Sequence, residues 1–120
     1  MGDFRNSRVW QMSKNLAVNI YKITNEGGFE KDFRFRDQIR AAAISVPSNI
    51  SEGDERNTNK QAINFFYHAK GSTAEVITQL IIALEIGYIE EISAKQLISS
   101  YEHVSHMLAK LIKARNSTNS

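Results

Sequence analysis

The chain of 120 residues is 42% apolar and 23% charged, which indicates one folded domain with its own core and argues against a disordered protein. It contains no cysteine, so disulfides, zinc–thiolate sites, iron–sulfur clusters and thiol catalysis are excluded. The net charge is only +2, but residues 1–40 and 106–120 each carry +3 whereas residues 71–105 carry −4.

Apolar residues recur at spacings of three and four along most of the chain, which predicts helices. The first helix is predicted over about residues 6–24, where Val9, Leu16 and Ile20 share one stripe. The run Asn-Glu-Gly-Gly at residues 25–28 then breaks the pattern.

The second helix is predicted over about residues 32–53, ending at Gly53. Pro47 lies inside it and lacks the backbone N–H that a helix uses, so it either bends the helix or ends it. We expect a bend, because Ile50 continues the apolar stripe in phase; the alternative is a helix end at Val46.

The third helix is predicted over about residues 58–86. The capping box Thr58-x-x-Gln61 marks its start, and Gly87 is the expected C′ residue after its end. Gly71 stands in the middle of this helix at a cost of about 1 kcal/mol relative to alanine. We therefore expect Gly71 to permit a close contact with another helix.

The fourth helix is predicted over about residues 93–115, with a second capping box, Ser93-x-x-Gln96, at its start. The polar residues 116–120 are expected to fray. Four helices of this length, joined by short loops, predict an all-α fold. The expected architecture is an up-down antiparallel four-helix bundle that forms a single domain over residues 1–120.

No stretch of the sequence approaches the ~20 apolar residues that a membrane span requires. The residues after Met1 form no apolar run that would serve as a secretory signal. We therefore expect a cytoplasmic protein with no membrane partner.

Three of the predicted helices carry a second apolar arc in addition to the core stripe. A monomeric bundle buries one face of each helix, so the extra arcs predict burial against other copies of the chain. The alternative is a scatter of single exposed hydrophobic residues, which is common on protein surfaces. The candidate residues of the oligomer interface are Trp10, Tyr21, Phe33, Ile44, Ile82 and Ile86.

Polar residues also recur at helical spacing beside the core stripes of the second and third helices. If these helices are antiparallel neighbours, Ser45 lies near Ala69 or Ser72, and Gln38 lies near Glu75 or Gln79. We interpret the stripes as a hydrogen-bonded interhelical network that sets the register, the alternative being the lining of a polar pocket or pore. Its predicted members are Gln38, Ser45, Asn49, Glu52, Ser72, Glu75 and Gln79.

Motifs for catalysis or metal binding are missing from the sequence. No Glu-x-x-His pair, phosphate-binding loop or nucleophile elbow is present. His103 and His106 supply only two ligands for a metal. Ser72, His68 and Glu75 are the residue types of a catalytic triad, but they lie on one predicted helix without an obvious oxyanion hole. We expect no catalytic residue, no metal and no cofactor.

Basic residues one turn apart on several helices are candidates for phosphate contacts. No helix-turn-helix, homeodomain or RNA-recognition signature accompanies them, so any binding is expected to be independent of base sequence. The alternative for each pair is ordinary solvated surface. The candidate nucleic-acid-binding residues are Arg36, Arg40, Arg56, Lys60, Lys110 and Lys113.

Several short runs in the second and third helices are typical of one family. Residues 45–53 read Ser-Val-Pro-Ser-Asn-Ile-Ser-Glu-Gly, residues 71–75 read Gly-Ser-x-x-Glu, and residues 87–89 read Gly-Tyr-Ile. With Val9-Trp10 in the first helix, the chain resembles the bacterial four-helix-bundle proteins encoded in intervening sequences of 23S rRNA genes. The resemblance covers about residues 4–112.

The resemblance implies an up-down bundle that assembles as a ring-like homopentamer. A related accessory variability protein of diversity-generating retroelements is a basic pentamer associated with a reverse transcriptase and with nucleic acid. No catalytic residues come with the family. The chain departs from the family pattern at Gly27-Gly28-Phe29, where Phe-Pro is usual, and at Ala41, where a second arginine is common. The change at Ala41 weakens the case for phosphate binding on that face.

Two hypotheses follow from these patterns. The first is a non-enzymatic homo-oligomer, a pentamer by resemblance, that associates with rRNA or with other RNA or DNA through basic surface residues. The second is an oligomeric scaffold that recruits a protein partner such as a nucleic-acid enzyme. An enzyme that uses the polar stripe is the least favoured alternative.

Overall fold

Four α-helices make up most of residues 3–117, which are the residues that this computed structural model describes. They are α1 (Arg8–Ile23), α2 (Phe33–Asp54), α3 (Asn59–Glu85) and α4 (Glu91–Asn116). Single 3-10 turns at Phe4–Asn6 and Gly27–Glu30 precede α1 and α2. No strand occurs within residues 3–117, which confirms the all-α prediction. The fraying predicted for the tail falls partly on residues 118–120, outside the described residues.

Side chains cap the first three helices at their N-termini. Ser7 accepts a hydrogen bond from the Trp10 amide at 3.3 Å, and Asp32 accepts one from the Phe35 amide at 3.2 Å. Thr58 accepts from the Gln61 amide at 3.2 Å, so the cap predicted at Thr58 is confirmed.

The capping box predicted at Ser93 is wrong, because α4 already begins at Glu91 after an extended Glu90. The reason is a tight turn at the end of α3. Gly87 adopts a φ of 80° there, and its amide donates to the carbonyl of Leu84 at 3.1 Å. The Tyr88 amide donates to the carbonyl of Ala83 at 2.8 Å, which completes a Schellman motif and lets the chain re-enter a helix early.

The second helix continues through Pro47 to Asp54, so the alternative of an end at Val46 is wrong. Gly53 is buried inside the last turn of this helix. A Cβ on Gly53 would lie 2.6 Å from Cε1 of Phe66 and 3.0 Å from the carbonyl oxygen of Ala62, so this glycine allows α2 to approach α3 closely.

The close helix contact predicted at Gly71 is wrong. No atom outside its own helix lies within 4 Å of the position that a Cβ on Gly71 would take. The physical reason is its direction, because Gly71 lies on the outer side of α3, opposite the buried side chains of Val76 and Leu80.

Each helix packs against its neighbour in the chain, and α1 also packs against α4, so the four helices run alternately up and down in a rod of 48 × 20 × 20 Å. Side-chain hydrogen bonds set the register of the inner pairs. Ser45 and Ser72 join α2 to α3 with their hydroxyl oxygens 2.8 Å apart. The ammonium of Lys70 donates to Ser105 at 3.2 Å and joins α3 to α4.

The hydroxyl of Tyr101 lies fully buried in the core and has no hydrogen-bond partner among residues 3–117. Burial raises the pKa of this phenol. We expect Tyr101→Phe to increase the free energy of unfolding by about 1 kcal/mol, because it removes an unsatisfied buried hydroxyl. Urea denaturation measures this change.

The matched control is Tyr88→Phe. Tyr88 donates a hydrogen bond to Asp32 at 2.8 Å, so removal of its hydroxyl is expected to decrease the free energy of unfolding. A decrease for Tyr101→Phe as well would contradict the prediction and point to a buried water on that hydroxyl.

Candidate nucleic-acid and subunit interfaces

The antiparallel arrangement brings the start of α1, the end of α2, the start of α3 and the end of α4 to one end of the rod. Arg115 ties three of these helix ends together, because its guanidinium donates to Asn59 at 3.1 Å and to Asp54 at 3.4 Å. The basic segments at the two ends of the sequence therefore meet in space. We call this region the basic end; its lysines and arginines are Arg5, Arg8, Arg56, Lys60, Lys110, Lys113 and Arg115.

Three arginines of the basic end are paired with carboxylates inside the chain. Arg5 contacts Asp3 at 3.0 Å, and this hydrogen bond lowers the pKa of the Asp3 carboxyl. Arg56 pairs with Glu52 and stacks on the ring of Phe65, 4.5 Å from its centroid. The third is Arg115, bound to Asp54 as described above.

The remaining cations of the basic end are exposed and form no ion pair with any of residues 3–117. Unpaired surface cations are the groups that displace counterions from phosphates on binding nucleic acid. They are Arg8, Lys60, Lys110 and Lys113.

Arg40 lies away from the basic end and is engaged within the chain. Its Nε donates to the Thr24 hydroxyl at 2.8 Å, and one Nη donates to Asn25 at 2.9 Å and to the Tyr21 carbonyl at 3.3 Å. The guanidinium also stacks on the Tyr21 ring, 4.6 Å from its centroid. Arg40 thus satisfies the C-terminal end of α1, where carbonyl groups lack helical partners.

Arg36 lies one turn before Arg40, also away from the basic end. Its guanidinium stacks on Phe33 at 4.8 Å and lies 3.7 Å from a carboxylate oxygen of Asp37. The structure therefore brings together four of the six predicted nucleic-acid residues, namely Arg56, Lys60, Lys110 and Lys113.

Tyr67 is an exposed aromatic residue that the sequence analysis did not select. It lies near the start of α3 with 55% of its surface accessible. The signal that identifies it is its spacing from Lys60, because residues seven apart on a helix lie on the same face. The spacing of basic residues alone does not single out an uncharged tyrosine.

Most exposed apolar side chains lie toward the other end of the rod, which we call the apolar end. Phe33 begins α2, Ile82 lies in the last turn of α3 and Ile86 follows its end, with exposures of 60%, 46% and 52%. Ile81 and Ile92 are exposed in the same region.

The other predicted interface residues lie on α1 and α2, with Trp10 near the start of α1, Tyr21 in its last turn and Ile44 in the middle of α2. Tyr21 and Ile44 are exposed on α1 and α2, the former beneath Arg40. Trp10 is half-buried and packs edge-on against Phe4, with ring centroids 5.1 Å apart. Trp10 is thus already covered in part within one chain.

The polar network predicted between α2 and α3 forms around Ser45. Besides its contact with Ser72, Ser45 accepts two hydrogen bonds from the Asn49 amide, both at 2.9 Å, through its carbonyl and hydroxyl oxygens. No side chain among residues 3–117 forms a hydrogen bond with Gln38 or Glu75, and both residues are exposed to solvent. The network is therefore smaller than predicted.

Two further predicted members of the network are placed differently. Glu52 pairs with Arg56 instead of bridging the helices. Gln79 is buried, but its Oε1 finds no partner within residues 3–117.

Open cavities lie between α1 and α4. One of about 400 Å³ is bordered by Arg8, His103 and Met107, and another of about 250 Å³ continues along the same side past Leu16 and Ser100. Within the described residues, no three His, Asp or Glu side chains group as metal ligands would. None of the helices within residues 3–117 is long and apolar enough to cross a bilayer.

The sequence and fold were compared with known proteins. The family model described as 23S rRNA-intervening sequence protein matches residues 5–110. A comparison with curated proteins finds no match. A crystal structure of a protein with unknown function, from the S23 ribosomal protein family of Bacteroides thetaiotaomicron, has a similar fold, with a TM-score of 0.80 and 23% identity over 88% of this chain and 98% of that one. The chain therefore belongs to the 23S rRNA-intervening sequence protein family.

Proposed function

We propose that the protein is a non-enzymatic homo-oligomer that binds rRNA or another nucleic acid through its basic end. The observation that carries the proposal is the meeting of Lys60, Lys110 and Lys113 at one end of the bundle, all exposed and unpaired within residues 3–117. Binding is directed at phosphates, so it is largely independent of base sequence. Such a role belongs in the cytoplasm.

Oligomerisation through the apolar end would support this function, because each subunit adds its own exposed cations to the particle. One subunit offers few free cations, and each contributes only modestly to affinity at physiological salt. A symmetric assembly presents the same cations several times on one particle, and simultaneous contacts increase the overall affinity. The subunit number that we expect is five, on the family resemblance.

A second candidate function is a scaffold that recruits a protein partner. The exposed isoleucines of the apolar end favour it, because a partner protein would cover them as well as a second subunit does. Affinity capture from the native cell separates the two functions. A single protein partner that survives nuclease treatment supports the scaffold, and recovery that depends on RNA supports the nucleic-acid function.

The triple variant Lys60→Gln, Lys110→Gln and Lys113→Gln tests the proposed function. We expect its affinity for a structured rRNA fragment at low salt to fall at least about tenfold, because up to three phosphate contacts are lost. The slope of log affinity against log salt is expected to flatten by about 2 to 3, since each neutralised phosphate contributes about −0.9. Fluorescence anisotropy across a salt series measures both quantities.

The matched control changes the same charge elsewhere, through Lys22→Gln, Lys31→Gln and Lys95→Gln, which all lie outside the basic end. We expect this control to keep most of the affinity and the slope of the unmodified protein. Equal losses in both triple variants, a flat salt dependence, or no binding by the unmodified protein at low salt would contradict the proposal.

A further inference from the structure

The most exposed aromatic side chain near the basic end is Tyr67. It is 55% accessible, whereas the other two aromatic rings in the first turns of α3, Phe65 and Phe66, are covered by Arg56 and by the core. Nothing within residues 3–117 stacks on the Tyr67 ring or accepts a hydrogen bond from its hydroxyl. More than half of the surface of Tyr67 is therefore open to solvent.

The register of α3 against α4 places exposed cations between Tyr67 and the basic end of the rod. Lys60 precedes it by seven residues on the same face of α3, a separation of about 10 Å along the axis. The hydrogen bond between Lys70 and Ser105 fixes the neighbouring helix, so Tyr67 lies beside the turn of α4 that carries His106 and Lys110. The last turns of α4, with Lys113, then lie beside Lys60.

This surround distinguishes Tyr67 from the exposed residues at the apolar end. Phe33, Ile82 and Ile86 lie where several hydrophobic side chains are exposed together, which suits contact with a second subunit. Tyr67 shares its face of α3 with Lys60, a cation that would lose its water without gaining a partner if it were desolvated against a like-charged copy. A polyanion with flat apolar groups fits such a surface better.

We propose that Tyr67 is a stacking platform for an unpaired base, and that the basic end therefore prefers single-stranded RNA or DNA over a duplex. The preference rests on the proposed nucleic-acid function. Bases in a duplex are stacked on one another and are not available to a tyrosine on a convex helix surface, whereas a single strand exposes them. Lys60, Lys110 and Lys113 bind phosphates that follow the stacked base toward the basic end.

The test uses the full chain with Tyr67→Ala and Tyr67→Phe, and it measures anisotropy with a fluorescent 15-mer of uridine and with an RNA duplex of equal length. We expect Tyr67→Ala to weaken single-strand binding about tenfold, because base–aromatic stacking is lost. Tyr67→Phe keeps the ring and should bind as the unmodified protein does. The salt slope should be unchanged in both variants, because no phosphate contact is removed.

The control is Ile92→Ala, which removes an exposed apolar side chain at the other end of the rod and should leave single-strand binding unchanged. Equal loss of single-strand and duplex binding in Tyr67→Ala, or no loss, overturns the stacking platform while the proposed function stands. Failure of the unmodified protein to bind either probe overturns both. Photo-crosslinking of a bromouridine 15-mer to Tyr67, found by mass spectrometry, supports direct contact, and a crosslink only at other residues contradicts it.

Discussion

Gly53→Ala is expected to decrease the free energy of unfolding by about 2 kcal/mol. The added Cβ would lie 2.6 Å from Cε1 of Phe66 and 3.0 Å from the backbone oxygen of Ala62. Phe66 is fully buried and lies under the guanidinium of Arg115, so its ring has little room to move. Overpacking of this kind costs about 1–3 kcal/mol or more and outweighs the gain of up to ~1 kcal/mol in helix propensity.

Gly71→Ala is the matched control, because Gly71 is also a glycine inside a helix but has open space around it. There we expect the free energy of unfolding to rise by about 0.5–1 kcal/mol. Urea denaturation monitored by circular dichroism measures both variants. An increase for Gly53→Ala as well would show that α2 and α3 are not in close contact at Gly53.

The double variant Ile82→Glu and Ile86→Glu is expected to convert the proposed oligomer into a monomer of 13.6 kDa. Ile82 lies in the last turn of α3 and Ile86 directly after its end, and both are about half exposed, so glutamate there should leave the bundle folded. Inside a subunit interface, however, each carboxylate would lose its water without gaining a partner, at a cost of about 3 kcal/mol or more. Light scattering coupled to size exclusion measures the mass.

The control for this variant adds the same charge at Gln96→Glu and Ser99→Glu, two exposed positions on α4 that are not predicted interface residues. We expect it to keep the mass of the unmodified protein. A mass of 13.6 kDa for the unmodified protein at micromolar concentration would remove the oligomer, and an unchanged mass of the double variant would remove this part of the surface from the interface.

Helical periodicity was sufficient to predict the four helices, because each one buries a continuous stripe. Ile20, Ile39, Leu80 and Leu108, one from each helix, are all fully buried. The cap at Thr58 and the turn at Gly87 were also predictable, since each depends on residues within one or two turns. Ser72, which pairs with Ser45, was one of the two neighbours that the antiparallel register predicted for it.

The roles of the two helical glycines could not be assigned from local pattern. A glycine near a helix end, such as Gly53, looks like a terminator, whereas its actual role depends on Phe66 in another helix. Gly71 was assigned a close contact because of its cost, although its position opposite Val76 indicates the outer face. The start of α4 was likewise decided by the Schellman turn before it rather than by Ser93.

The sequence predicted that the candidate site consists of basic residues, but it did not predict which of these residues lie together. Arg40 lies one turn from Arg36, a spacing that suits two phosphate contacts. Its hydrogen-bond partners are instead Thr24 and Asn25 just after α1, which become its neighbours only when the bundle forms. Lys60 and Lys110 are far apart in sequence and come to the same end through the up-down topology. Tyr67 carries no charge, so the pairing of basic residues did not select it, whereas the structure shows that it is exposed near the basic end.

The open cavities between α1 and α4 affect the order in which the helices unfold and fold. Turns of four and five residues, 55–58 and 86–90, join α2, α3 and α4, whereas residues 24–32 lead from α1 to α2. Cavities of about 400 and 250 Å³ leave α1 less fully packed against α4. We therefore expect the amide hydrogens of α1 to exchange with solvent through local openings that leave a three-helix remnant intact, and α1 to dock last during folding.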